Sequence, residues 1–434
     1  MGWPSRPNIL VLAAAAPIVA ILVLGDKGPW EALLAVIGLG LSFAACQAVL
    51  HEERTPAALW PAVAVMAFLA VLRAPIGSHD LWSYVSYGRM VSQHGANPYV
   101  TVPAAFPHDI SHRLVGWRHT PSVYGPLFTL YSAALTKVAG NSLWVARLGF
   151  QLLAAGSVAW CLLALQRAGR YAALTLVALQ PFVWVSVVNE GHNDAVMAAL
   201  LLAAVVAFSG EKVGRASALT ALAAMVKFSA LILVVPIVVF LVVRRRWRAA
   251  AVMAGWPVGV VLVGALVVPG TIENASRATA DKISRAAVWH PLELVNVVPV
   301  ESIAVVGTGV VVLLIALISW RRRMDADVGA SAGASLSAFG MSAVYVLPWY
   351  VIWGLPILAL SGDLALTAIV AARGSVLLAS YELPGGSAVQ AAAGLVVSGV
   401  VPIGLLVLFL WRVFRPDRAG VGTAPRPPAM QPGA

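Results

Sequence analysis

Charge is scarce in this chain. Asp, Glu, Lys and Arg make up 11% of its 434 residues, less than half the share of about 25% usual in a soluble domain, so the sequence cannot clothe a water-soluble surface. Cysteine is scarcer still. Cys46 and Cys161 are the two present, and both fall inside apolar segments, where they read as buried free thiols with no disulfide framework and no metal-ligand spacing. A Gly-rich phosphate loop is missing, so nothing asks for a nucleotide sugar. Internal repeats are missing too, which weighs against the transporters built from them.

What the chain does have is apolar length. Hydrophobic residues are 60% of the total, in runs that recur from Ile9 to Trp411. A bilayer span needs roughly 20 mostly apolar residues, so the fold class is an all-α polytopic membrane protein. The formal charge of +11 would suggest nucleic acid in a soluble protein. Here it is carried by short loops between apolar runs: Arg167 and Arg170, Lys212 and Arg215, Arg244 to Arg248, Arg321 to Arg323, and Arg412 to Arg418. The positive-inside rule makes these loops cytoplasmic, and the charge reports topology, with no nucleic-acid partner.

From a cytoplasmic N-terminus, spans are expected near 9–25, 31–50, 57–73, 143–165, 171–188, 193–209, 216–227, 228–243, 249–269, 302–320, 332–347, 350–362, 364–382 and 391–411, with both termini inside. The N-terminal run reads as a retained helix, because many more spans follow it. Parity divides 216–243 into two helices with Lys227 at their outward tip. Parity also leaves 124–140 as a helix lying in or dipping into the outer leaflet. Residues 1–418 then form one transmembrane domain. It carries a long extracytoplasmic loop at 74–141 and a second one at 270–301, and residues 419–434 form a disordered cytoplasmic tail rich in Gly and Pro.

Polar residues near the membrane are costly and tend to face cavities or partners. Four groups stand out. His79 and Asp80 follow an apolar run, with Asp80, Tyr84 and Tyr87 at helical spacing, then Arg89 and the turn signal Asn97-Pro98. The group is either a helix cap by Ser78 or Asp80 beside an aromatic belt, or a general base at the water boundary. Asn189-Glu190-Gly191-His192-Asn193-Asp194 is either a tight turn capped by Asn193 or Asp194, or a set of polar groups for a substrate headgroup or a divalent cation. Lys227, Arg373, Arg113, Arg118 and His290 are cations that could hold a phosphate or snorkel to the interface. Pro348-Trp349-Tyr350 through Pro356 breaks an apolar run and offers aromatic faces to a sugar or to the interface.

The run Asp80-Leu-Trp-Ser-Tyr-Val-Ser-Tyr-Gly-Arg89, with Gly95-Ala-Asn-Pro-Tyr99, Tyr124-Gly-Pro-Leu127, Asn189 to Asp194, Val226-Lys-Phe228 and Pro348-Trp-Tyr350, resembles the GT-C superfamily of membrane glycosyltransferases. Within it, the likeness is to the actinobacterial polyprenyl-phosphate-mannose-dependent α-1,6-mannosyltransferases of lipoglycan assembly. The resemblance implies a bundle of about 12–14 transmembrane helices with outer-leaflet helices in the long first loop. It maps the family's catalytic acid onto Asp80. It implies a polyprenyl-phosphate-mannose donor, a lipoglycan or glycolipid acceptor, and a plasma-membrane location with the active site extracytoplasmic. His79 stands where a second acid would be needed for a metal-bridged pair, so no cofactor is expected, and a divalent cation is left open.

Under that resemblance Asp80 is the base for the acceptor hydroxyl, and one carboxylate favours an inverting transfer. Lys227, with Arg373 or His290, would neutralise the lipid phosphate. His79, Tyr84, Arg89, Glu190, His192, Asn193, Asp194, Trp349 and Tyr350 would bind or order substrate. Another lipid-linked sugar or a phosphatidylinositol mannoside acceptor would suit the same scaffold. A lipid-linked sugar flippase is the rival from another class, and a non-catalytic scaffold would tolerate loss of Asp80.

Overall fold

The computed structural model describes residues 5–25, 28–277, 282–295, 298–381 and 396–415, and every regular element among them is helical. The expected tail at 419–434 and the start of the last span, 391–395, lie outside the described residues, as do 278–281 and 296–297 of the second loop.

In chain order the helices are α1 (Arg6–Leu24), α2 (Pro29–Ala48), α3 (Leu59–Leu72), α4 (Asp80–Ser92), α5 (Pro126–Ala139), α6 (Leu143–Arg167), α7 (Tyr171–Ala178), α8 (Asp194–Ser209) and α9 (Val213–Val226). There follow α10 (Val234–Val243), α11 (Trp247–Val267), α12 (Thr271–Arg277), α13 (His290–Val295), α14 (Val300–Arg321), α15 (Val328–Ser342), α16 (Leu355–Ser361), α17 (Leu364–Tyr381) and α18 (Val401–Phe414). Each of the fourteen expected apolar segments contains helix. By length and composition seven described helices can cross a membrane alone, or eight if a bent pair counts as one span. The other expected spans are shorter or interrupted, so the number of full crossings read from length is below the expected 12–14.

Three interruptions matter, because each places backbone or polar side chains inside the bundle. The first is the bent pair: α7 and the helical segment Val183–Asn189 meet at 68°. Pro181 between them has no N–H to continue a helix. The groups the bend exposes find partners: Trp184 donates to the Ala178 carbonyl at 2.7 Å, and Gln180 donates to Ser42 Oγ at 2.8 Å. The second is Lys227, in extended conformation between α9 and a tight turn at Phe228–Leu233. The third is the turn Pro348–Trp353 before α16. Irregular backbone at this depth survives only where protein satisfies it.

The segment between α3 and α6 holds α4 and α5 packed against each other. Gly88 makes that approach possible, since a Cβ there would lie 2.4 Å from the Ser132 carbonyl oxygen. Arg89, one residue on, donates to Asp109 at 2.9 Å and to the Gly140 carbonyl at 2.6 Å. His94 joins the same carboxylate at 2.8 Å. These contacts fold the long loop back onto α4.

Candidate active site

The bend in the bundle positions the loop. Asn189 ends the bent segment, and its side chain accepts from the Ile76 N–H at 3.0 Å and donates to the carbonyls of Ala70 and Arg73 at 3.0 and 3.2 Å. Gln151 of α6 donates to the carbonyls of Asn189 and Arg73 at 2.5 and 2.8 Å. Glu190 accepts from the N–H groups of Gly77 and Ser78 at 2.9 and 2.8 Å. Ser78 Oγ then accepts from the N–H of Asp80 at 3.0 Å. The N-cap position of α4 is His79, which makes no side-chain capping bond, so the expected cap by Ser78 or Asp80 is not formed. The Asp80 carboxylate stands in the first turn of α4, where the helix dipole favours an anion.

Asp80 Oδ1 accepts from Trp117 Nε1–H at 2.9 Å. Its other oxygen lies 3.6 Å from His192 Nε2, an ion-pair spacing longer than a hydrogen bond. Gly191, at φ +62°, makes the turn that carries His192 there. His192 Nδ1 is 2.7 Å from the Ser186 carbonyl, which can only accept, so Nδ1 carries a proton and Nε2 faces the carboxylate. Trp349 stacks on the imidazole, with centroids 3.7 Å apart and planes 22° apart. Burial pushes the Asp80 carboxyl up, but His192, Trp117 and the Lys227 charge outweigh it and hold it below its ordinary value. Burial pushes His192 down, and the Asp80 carboxylate with the charges of Glu190 and Asp194 raises it above the ordinary imidazole value. Both shifts favour the charged pair.

Asp194 is engaged elsewhere. Its Oδ1 accepts from Lys227 Nζ at 2.8 Å and from Trp353 Nε1 at 2.5 Å. Lys227 lies over the rings of Tyr350 and Trp353, at 4.3 and 5.2 Å. Of the three carboxylates, the Asp80 side chain is 15% exposed, against 4% for Glu190 and 0% for Asp194. Asp80 is thus the most exposed of the three. Tyr84 is packed edge-on to Tyr124 and Phe128, at 4.8 and 4.9 Å, and forms the floor beneath it. Among the described residues, no group of three or more His, Cys, Asp or Glu is placed to hold a metal ion.

The structure brings Asp80, Tyr84, Glu190, His192, Asn193, Asp194, Lys227, Trp349 and Tyr350 together. Asn193 does not cap α8, because its own backbone is already helical. Its buried amide makes no hydrogen bond to protein. Asp194 likewise spends its carboxylate on Lys227 and Trp353. His79 bonds to the Leu114 carbonyl at 2.9 Å, Arg89 serves the Asp109 pair, and His290 pairs with Glu293 at 3.0 Å on α13. None of these three touches the Asp80 cluster directly. Arg373, fully buried in α17, donates through Nε to the Gly340 carbonyl at 3.1 Å. Arg118 bonds to loop carbonyls. Sequence reasoning missed Trp117 and Lys282, whose ammonium sits 3.9 Å above the Trp117 ring, and it named Trp353 only as part of the run from Pro348 to Pro356. Trp117 carried a signal in its position, deep in a polar loop and away from any span end.

The family described as alpha-(1->6)-mannopyranosyltransferase, N-terminal domain, matches residues 8–244. The chain belongs to this family. The matched part supplies Asp80, Trp117, Glu190, His192, Asp194 and Lys227, whereas Lys282, Trp349, Tyr350 and Trp353 come from beyond it. Alpha-(1->6)-mannopyranosyltransferase A of Mycobacterium tuberculosis is 26% identical over 212 residues, which are 47% of this chain and 38% of that protein. Alpha-(1->6)-mannopyranosyltransferase A of Corynebacterium glutamicum is 26% identical over 141 residues, 30% of this chain and 28% of its own length. The chain therefore spans well under half the length of these curated relatives. No solved structure matches it.

Proposed function

We propose that this protein is a membrane mannosyltransferase that moves a mannose from a polyprenyl-phosphate donor to a hydroxyl of a glycolipid or lipoglycan acceptor, on the extracytoplasmic side and with inversion. One observation carries the reading: among three clustered carboxylates Asp80 is the most exposed, and its partners Trp117 and His192 keep it ionised.

In the step, Asp80 takes the proton of the acceptor hydroxyl as that oxygen bonds to the sugar C1. The bond from C1 to the phosphate oxygen breaks, and its electron pair leaves on the phosphate. A phosphodiester anion becomes a more highly charged phosphate monoester, a leaving group that needs little protonation. Glu190 and Asp194 are occupied by backbone and by Lys227, so no second open carboxylate stands ready as a nucleophile. That disposition supports a single displacement. Charged His192 fixes the carboxylate against the developing positive charge on the sugar. The Asn193 amide is suited to sugar hydroxyls, while Trp349 and Tyr350 back His192 and Lys227.

The test is transfer of radiolabelled mannose from polyprenyl-phosphate-mannose to a membrane acceptor by wild type and Asp80→Asn. General-base catalysis supplies about 10²- to 10⁴-fold, so the variant should fall by that much while expressing normally. Equal transfer by both proteins would remove Asp80 from the chemistry. Absence of transfer by wild type would turn attention to other lipid-linked sugars and then to a flippase.

A further inference from the structure

The phosphate of a lipid donor needs a cation, and Lys227 is already neutralised by Asp194 at 2.8 Å. A different cation stands on the opposite flank of the cluster. A cavity of about 380 Å³ lies between the second loop, the segment before Pro348 and the end of α17, lined by Ser284, Arg285, Tyr345, Pro348 and Ser380 among others. That is within the range of about 300–1,000 Å³ for ligand pockets. Its wall continues into the site: Pro348 precedes Trp349, which stacks on His192 beside Asp80. Tyr345 lies within electrostatic reach of the Asp80 charge.

Among the residues that line the cavity, Arg285 carries a charge and none is a carboxylate. Among the described residues, Arg285 has no carboxylate partner, and its side chain is exposed at the rim. Arg373 lies on the face of α17 that carries Leu377 and Ser380, at the four- and seven-residue spacing of one helical face and one turn deeper. It is completely buried, and two of its three guanidinium nitrogens have no hydrogen-bond partner. A buried charge of this kind is costly unless paired, so an anion held close by would stabilise it. The Ser284 hydroxyl accepts from the Val346 N–H at 2.9 Å, which leaves its proton free to donate.

We propose that this cavity holds the phosphate of the lipid donor, with Arg285 as its ion partner, the hydroxyls of Ser284 and Tyr345 as hydrogen-bond donors, and Arg373 as a fixed positive charge beneath. This rests on the reading that the donor is a lipid phosphate. It replaces Lys227, which the sequence nominated for the role. The leaving phosphate then departs toward the second loop, while the Lys227–Asp194 pair keeps the aromatic wall in place.

The test is binding of a sugar-free polyprenyl phosphate to the full-length protein in phosphatidylcholine nanodiscs, with the matching polyprenol and inorganic phosphate as comparison probes. A charge-assisted hydrogen bond is equivalent to about 10- to 100-fold in affinity. Wild type should bind polyprenyl phosphate and not polyprenol, Arg285→Gln should weaken it by about that factor, and Arg285→Lys should recover much of it. Equal binding by wild type and Arg285→Gln overturns the assignment, even if mannose transfer is intact. Arg285-dependent binding of inorganic phosphate alone overturns the lipid source. Arg285-dependent binding of polyprenyl phosphate by a protein that transfers no mannose upholds the subsite and defeats the mannosyltransferase reading.

Discussion

Removing the Lys227 ammonium should unfold more than it disarms. Asp194 is fully buried and its carboxylate depends on Lys227 and Trp353, so Lys227→Met leaves an anion with a single neutral donor in an apolar bundle. Breaking a buried pair from one side costs about 3–5 kcal/mol. An unfolding entropy near 2.1 cal/mol/K per residue over 434 residues converts this to a midpoint about 3–6 °C lower. Thermal unfolding in detergent, followed by tryptophan fluorescence, measures the shift. The double variant Asp194→Asn/Lys227→Met should regain most of the loss, because Asn keeps an acceptor for Trp353 and carries no charge, and coupling of this size is what a double-mutant cycle detects. A single variant as stable as wild type, or a double variant no better than Lys227→Met, would refute the view that Lys227 exists to neutralise Asp194.

Further outcomes follow from the contacts around Asp80 and from the packing of α4 on α5. The contacts that lower the Asp80 pKa keep it ionised to more acidic pH than an ordinary carboxylate, so transfer should fail only as pH drops through that lowered value. Trp117→Phe removes one lowering hydrogen bond and should move the acidic limb of kcat/KM upward, whereas an unmoved limb would show that Trp117 does not tune the base. Gly88→Ala should drive α4 from α5, since its Cβ would meet the Ser132 carbonyl oxygen at 2.4 Å; overpacking of this kind costs about 1–3 kcal/mol, and an unchanged unfolding midpoint would contradict it.

The cluster was legible where polar residues interrupt apolar sequence. Asp80 and the run from Asn189 to Asp194 stood out because ionisable groups are expensive beside lipid, and the structure joins them. The later break was marked by Pro348, whereas residues 171–188 were expected as one span and the bend at Pro181 was not foreseen. Which tryptophan meets which carboxylate was not legible. Trp117 meets Asp80 across 37 residues and Trp353 meets Asp194 across 159, separations that only packing decides, and tryptophan in a membrane protein ordinarily marks an interface. Arg89 misled for a related reason: a cation two turns from Asp80 looks like a ligand for substrate until Asp109, twenty residues on, is seen to occupy it. Likewise Lys227 stood out as a cation between two apolar helices, but the sequence could not reveal that Asp194 had already claimed its charge.

The hydrogen bonds from Asn189, Gln151 and Glu190 to residues 70–78 give the base an address inside the bundle. Its position is indexed to a kink among apolar helices through the first residues of the loop, and from farther along that loop Trp117 holds one of its oxygens. The parts of that loop away from residues 74–80 and Trp117 can therefore be redrawn without moving the Asp80 carboxylate.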